Sequence, residues 1–215
     1  MYDLIIIGGG PGGYLAAERA GAKGMQVLLI EKDTLGGVCL NVGCIPTKTL
    51  LNAAKNYVHG IEASQFGVHF DNPRFVLSEA MEWKAQVVKT LVKGVEYQMK
   101  RHHVEVLKGE ARMVKPHTVA VDGKEYEGTN IIIATGSSTA IPPIPGVDSK
   151  HVLTSTEVLS LTEMPKKLIV IGGGVIGIEF ASFFSSLGVD VHVIEMLPEI
   201  TPLMEKDALY IADRH

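Results

Sequence analysis

The chain has 215 residues, 46% hydrophobic and 20% charged, with 20 basic against 24 acidic side chains and a formal net charge of −4. That balance excludes a disordered tail and a disulfide-stapled miniprotein, and without a basic run it offers nothing to a polyanion such as nucleic acid. The longest apolar runs, such as Leu4 to Ile7 and Ile131 to Ala134, fall far short of the roughly 20 residues of a membrane span. The opening, with Asp3 and then glycines, does not read as a secretory leader, so a cytoplasmic protein is expected.

Leu4 to Ile7 is an unbroken apolar run that enters a cluster of glycines, followed by a helical stretch from Tyr14 to about Lys23 and a second apolar run, Met25 to Ile30, closed by Glu31. Runs without alternation are the signature of strands buried on both faces, and strand, glycine turn, helix and strand in series make a βαβ unit of a parallel sheet. From Ile45 to about Ala63 the positions of Leu50, Leu51, Ala54, Tyr57, Val58 and Ile61 predict a helix. A longer helix is expected from near Pro73, with Leu77, Ala80, Trp83, Val87, Leu91, Val95 and Met99 as its apolar stripe.

Short β pieces follow at Val104 to Leu107, Ala111 to Val114 and Thr118 to Val121, with Asp122-Gly123 as a hairpin turn, and then a buried strand, Asn130 to Ala134. Proline-rich Ile141 to Gly146 reads as a semi-rigid linker, which divides the chain into domains of residues 1–146 and 147–215. The opening pattern then recurs: Lys167 to Ile171 enters Gly172, Gly173, Gly174 and Gly177, a helix runs to about Leu187, and Val189 to Ile194 is closed by Glu195. In both copies the acid lies 23 positions after the first glycine.

The first glycine set fits the dinucleotide fingerprint as Gly8, Gly10 and Gly13, with Pro11 and Gly12 between them. The first glycine allows the tight turn, the second lets the backbone approach a pyrophosphate, and the third lets helix pack on strand. Glu31, followed by Lys32, stands where a carboxylate accepts both ribose hydroxyls. Gly172, Gly174 and Gly177, with Val175 and Ile176 opening the helix, repeat the arrangement. Glu195, with no nearby arginine in sequence, repels a 2′-phosphate and favours NAD over NADP.

Between the two sets stands Gly36-Gly37-Val38-Cys39-Leu40-Asn41-Val42-Gly43-Cys44-Ile45-Pro46-Thr47-Lys48. Its cysteines are the only two in the chain and lie five positions apart. On an ideal helix five steps turn through about 500°, which separates them, so they close only where the chain is distorted, as Gly43 permits and a fresh helix beyond Pro46 assists. The alternatives are two unrelated buried thiols or half a metal site. Zinc would need two more ligands, for which His59 and His69 are the nearest histidines.

The segment Gly36 to Lys48 resembles the redox-disulfide signature of the class I pyridine nucleotide-disulfide oxidoreductases, most closely that of their dihydrolipoamide dehydrogenase branch. The first fingerprint, the cysteine motif, Ala134-Thr135-Gly136 and the second fingerprint stand in that family's order along essentially the whole chain. Val38 and Thr47 are mild departures, where threonine and serine are usual. The resemblance implies an α/β fold: an FAD-binding Rossmann-like domain with a parallel sheet and a small β meander, then an incomplete second Rossmann-like unit for NAD.

It further implies that Cys44 is the thiol nearest the flavin and Cys39 the interchange thiol, joined in the oxidised state as a disulfide. Lys48 would pair with Glu179 beside the flavin, and Ala111 would present its backbone to the adenine. Thr135 and Gly136 close the first sheet. The implied activity is oxidation of dihydrolipoamide by NAD, with a lipoyl domain or dihydrolipoamide as substrate and a homodimer as the full-length form.

Members of the family are roughly twice as long, and no histidine here matches their proton-transfer dyad. His117 lies in a β connection, His102-His103 ends a helix and His215 is terminal. The expectation is therefore an N-terminal portion, weakly active or inactive alone, with an exposed sheet edge prone to self-association. A naturally short flavin-binding or redox-sensing module and a mercuric or glutathione reductase relative are the alternatives.

Overall fold

A computed structural model describes residues 1–201 and Met204 of the chain. β1 (Tyr2–Ile7), α1 (Pro11–Ala22) and β2 (Val27–Glu31) form the first βαβ unit. They are followed by α2 (Gly37–Val42), α3 (Cys44–Glu62), a 3₁₀ turn over Ala63–Phe66, and α4 (Leu77–Arg101). Then come β3 (Glu105–Lys108), β4 (Ala111–Lys115), β5 (Thr118–Val121), β6 (Lys124–Ile133) and the short α5 (Ser155–Val158). The second repeat closes the described chain with β7 (Lys167–Ile171), α6 (Val175–Ser186) and β8 (Asp190–Ile194).

The elements form two compact units: residues 1–46 with 85–156, and residues 47–84 with the chain from Glu157 onward. These units interleave along the chain. In the first, six strands lie in the order β3-β2-β1-β6-β5-β4. The first four are parallel, with Leu4 opposite Val27 and Asn130, whereas β4, β5 and β6 are joined antiparallel.

β1 and β2 are buried on both faces, as their unbroken apolar runs require. Leu4, Ile6, Val27 and Leu29 pack with Ala17 and Ala20 of α1 and Met99 of α4. The alternate residues Ile5, Ile7, Leu28 and Ile30 pack against Val119 and Val121 of β5. The antiparallel meander thus covers the sheet face that the helices leave open.

The second unit holds the two-stranded parallel sheet of β7 and β8. Phe180, Phe183 and Phe184 of α6 pack with Leu50 and Ala54 of α3 in its core.

Several expectations are corrected by the structure. α3 begins at Cys44 itself, not beyond Pro46, and α4 begins at Leu77, four residues later than Pro73. The piece at 104–107 belongs to the parallel sheet beside β2 and not to the meander. β6 is one ten-residue strand whose first half pairs with β5 and whose second half pairs with β1.

The strand at 130–134 is not buried throughout: Ile132 and Ile133 are exposed, because β5 accompanies β6 only as far as Glu127. Ile169 and Ile171 are exposed for a similar reason, since α6 covers one face of a two-stranded sheet and the described residues place nothing on the other. The α4 stripe also divides, with Met99 buried and Trp83 and Leu91 exposed. At about 100° per residue the seven side chains spread over about 160° of the helix surface, with Trp83 at one edge of that arc and Met99 at the other.

Candidate functional site

The turn after β1 is built by three glycines, two of which cannot carry a side chain and one of which leaves open space. Gly8 has φ 103°, which an L side chain rarely adopts, and a Cβ there would lie 2.2 Å from the carbonyl oxygen of Ala134. At Gly13 a Cβ would lie 1.8 Å from the carbonyl oxygen of Gly8, so this glycine lets α1 rest on the end of β1. Gly10, by contrast, is open: the nearest atom to a Cβ is Cα of Gly37, at 3.7 Å. Pro11 opens α1, where its missing N–H is no loss, and Gly12 lies over the Ala134 side chain.

Glu31 ends β2 with both carboxylate oxygens engaged. Oε2 accepts the Gly9 N–H at 2.6 Å and Oε1 accepts the Asp33 N–H at 2.8 Å. Each oxygen keeps a further lone pair. Gly36 donates its N–H to the Gly9 carbonyl at 2.8 Å, and a Cβ at Gly37 would lie 2.6 Å from Cα of Gly10. The N–H of Ala134 returns to the Ile7 carbonyl at 2.8 Å, ahead of Thr135 and of Gly136 at φ 70°. Gly109 donates to the backbone carbonyl of Glu31 at 3.0 Å, which brings Ala111, at the start of β4, to the same end of the sheet. Lys32 and Val38 are exposed.

The second turn repeats the first nearly bond for bond. Gly172 has φ 105°, a Cβ at Gly177 would lie 2.3 Å from the Gly172 carbonyl oxygen, and a Cβ at Gly174 would meet nothing within 4 Å. Glu195 accepts the Gly173 N–H at 2.6 Å and the Leu197 N–H at 2.8 Å. Those bonds, from Leu197 first and Gly173 second, hold its carboxyl below the usual carboxylate range. Thr201 donates its N–H to the Gly173 carbonyl at 2.7 Å, as Gly36 does to Gly9. Val175 and Ile176 open α6 with exposed side chains. The glycine pattern is readable in sequence, whereas the service of Gly9 and Gly173 as donors to the two acids is not signalled by the fingerprint.

The cysteines stand on two separate helices. Cys39, half-buried, is in α2, and Cys44, exposed, is the first residue of α3. Gly43 makes the break, and a Cβ on it would lie 2.9 Å from the Val38 carbonyl oxygen and 3.2 Å from Cα of Cys39. Gly43, with φ −140° and ψ −115°, ends α2, so the helix break lies between the two cysteines. Lys48 follows Cys44 by one helical turn and pairs with Glu179 of α6 at 3.1 Å. Among the described residues no group of three or more His, Cys, Asp and Glu side chains could hold a metal ion, and no helix is long and apolar enough to cross a membrane.

Two glycine turns of one design, each answered by its own carboxylate, together with a cysteine pair across a helix break, define a Rossmann-like α/β protein. The chain belongs to the pyridine nucleotide-disulphide oxidoreductase family, whose profile matches residues 2–215. It is 44% identical over 211 residues to a dihydrolipoyl dehydrogenase of Acholeplasma laidlawii, covering 96% of this chain and 63% of that one. It is 49% identical over 208 residues to a dihydrolipoamide dehydrogenase of Chaetomium thermophilum, covering 92% and 41%. Among solved structures, an HOCl-induced flavoprotein disulfide reductase from Escherichia coli superposes with a TM-score of 0.81 at 32% identity, covering 99% of this chain and 47% of that one. The chain thus spans 41% to 63% of the length of these relatives.

Proposed function

We propose that the chain is the cofactor-binding and redox portion of a dihydrolipoamide dehydrogenase, which oxidises dihydrolipoamide to lipoamide and reduces NAD. The carrying observation is the break at Gly43, which sets Cys39 and Cys44 on two successive helices in the unit that also holds the Gly8 to Gly13 turn. The names of the relatives support lipoamide as the substrate class.

The residues present fit two dinucleotides. Gly10 and Gly174 leave open backbone where a pyrophosphate would lie, and Glu31 and Glu195 are already oriented with lone pairs for ribose hydroxyls. We assign FAD to the first turn, with the backbone of Ala111 toward its adenine, and NAD to the second. FAD, when bound, would supply two-electron and hydride-transfer chemistry between the protein dithiol and NAD.

The chain's own part is thiol exchange, which begins from the oxidised pair. One thiolate of dihydrolipoamide attacks the sulfur of Cys39, forming a mixed disulfide and releasing Cys44 as a thiolate. The second substrate thiol then attacks the substrate sulfur of the mixed disulfide, closing lipoamide and releasing Cys39. Two electrons pass to the protein, and the two substrate protons pass to base and solvent. Lys48, held by Glu179, would supply positive charge to a bound flavin.

A dithiol mechanism suits a reducing compartment, the cytoplasm first; one similar relative is mitochondrial. We place the full-length protein as a homodimer acting on free dihydrolipoamide or a lipoyl domain. Between 37% and 59% of each of these two relatives lies outside the matched part, that is 100% less the 63% and 41% covered, so the 215-residue chain alone is expected to turn over slowly.

The test is the visible spectrum of the purified, desalted chain with added FAD, before and after one equivalent of a dithiol. Retained flavin absorbance with a new long-wavelength band on reduction supports the assignment of Cys44 beside FAD. Retained flavin without any response to dithiol overturns it.

A further inference from the structure

The segment between the cysteines contains a polar side chain that the exchange chemistry does not use. Asn41, in α2 two residues after Cys39, donates from Nδ2 to the carbonyl oxygens of Leu35 at 3.1 Å and Gly37 at 3.0 Å, with that of Thr34 at 3.5 Å. An amide nitrogen carries two hydrogens, so the two shorter bonds use its donor capacity fully.

The segment it grips is seated on the first glycine turn. Gly36 donates to Gly9, Gly37 lies against Gly10, and a Cβ at Gly9 would lie 2.6 Å from Cδ2 of the buried Leu35. α2 itself is six residues long, too short to be stable alone, and is flanked by Gly36 at φ 103° and by Gly43. A short helix between glycines needs an external anchor; the bond from Asn41 to the Leu35 carbonyl supplies one, while its bond to Gly37 lies within α2.

We propose that Asn41 is a positioning residue of the redox pair: its amide fastens the helix carrying Cys39 to the segment that lies on the dinucleotide turn, so that thiol and turn share one frame. The proposal rests on the reading of Cys39 and Cys44 as a redox pair. Losing the anchor lowers the effective concentration of Cys39 at Cys44 and shifts their equilibrium toward the dithiol.

The test needs no cofactor. The chain is equilibrated in glutathione buffers, where Cys39 and Cys44 give two electrons and two protons to glutathione disulfide, forming one intramolecular bond and two molecules of glutathione. The oxidised fraction is read by mass spectrometry after alkylation. Asn41→Ala is expected to lower the equilibrium constant about tenfold, which is about 30 mV for a two-electron couple.

Asn41→Asp keeps the shape of the side chain but sets a carboxylate against two carbonyl oxygens. It should lower the constant at least as far at neutral pH and recover toward wild type as the carboxyl is protonated and again donates a bond. That pH profile, taken as a ratio to wild type, would not arise from a merely structural role. Circular dichroism confirms that each variant is folded, and the Asp variant serves if the Ala variant is not. Constants within twofold of wild type in folded variants overturn the proposal. A wild-type chain that forms no Cys39 to Cys44 bond under any buffer overturns the reading beneath it, which is a separate and recognisable result.

Discussion

Gly10 and Gly13 stand three residues apart in one fingerprint, yet the structure requires them to fail in opposite ways when replaced by alanine. At Gly13 the new methyl would lie 1.8 Å from the Gly8 carbonyl oxygen, where an ordinary carbon to oxygen contact needs about 3.3 Å, so α1 must move off β1 by roughly 1.5 Å. Overpacking on that scale belongs at the upper end of about 1–3 kcal/mol, or a fall in Tm of roughly 5–10 °C. At Gly10 the methyl meets nothing closer than 3.7 Å and the backbone, at φ −74°, suits alanine, so unfolding free energy should change by less than about 1 kcal/mol. The methyl would stand where a pyrophosphate is to lie, and FAD affinity should fall at least about tenfold.

The assay pairs urea unfolding of the cofactor-free chain with flavin fluorescence titration. The second turn gives an independent copy, since Gly177→Ala meets the Gly172 carbonyl oxygen at 2.3 Å and Gly174→Ala meets nothing within 4 Å, with NADH as the ligand. A stable Gly13→Ala variant, or a Gly10→Ala variant that binds FAD like wild type, would refute the division of labour.

Three further outcomes follow from other parts of the structure. Thr201 has φ 48° and a buried hydroxyl that finds no partner among the described residues, so Thr201→Gly should stabilise the chain by about 1 kcal/mol in urea titration; a loss would contradict the strain. Tyr2, pushed up to about 12 by burial and by its hydrogen bond to Glu105, holds its proton more tightly folded than unfolded. Its contribution is full below pH 10 and lost as pH rises to about 12, so the difference between wild type and Tyr2→Phe in chemical denaturation should shrink across that window. Lys48 is 62% exposed, so Glu179→Gln should change unfolding free energy by less than about 1 kcal/mol; a loss of several would mean that the pair serves the fold and not the flavin.

The glycine turns were legible because their demands are local: a left-handed φ at Gly8 and Gly172 and a close approach at Gly13 and Gly177 restrict the residue type whatever surrounds them. The cysteine break was legible for the same reason, since a five-residue spacing admits no regular helix that joins the pair. α2 was missed because Gly37, Val38 and Val42 are poor helix formers and tertiary contacts, not propensity, shape that segment. The place of β3 beside β2 and the double pairing of β6 depend on partners distant in the chain, which periodicity does not encode. Neither could the apolar runs announce that Ile132 and Ile169 are open, because a run records what a strand can bury and not what lies over it.

The bond from each central glycine N–H to its glutamate also bears on how cofactor preference can change. Converting the second turn to accept a 2′-phosphate would begin by replacing Glu195, whose charge repels it. That same substitution would strip the Gly173 N–H of its acceptor and loosen the turn to which the pyrophosphate is assigned. A switch of coenzyme is therefore a two-step walk for this chain, one change to admit the phosphate and a second to brace the glycine again, with a weakly binding intermediate between them.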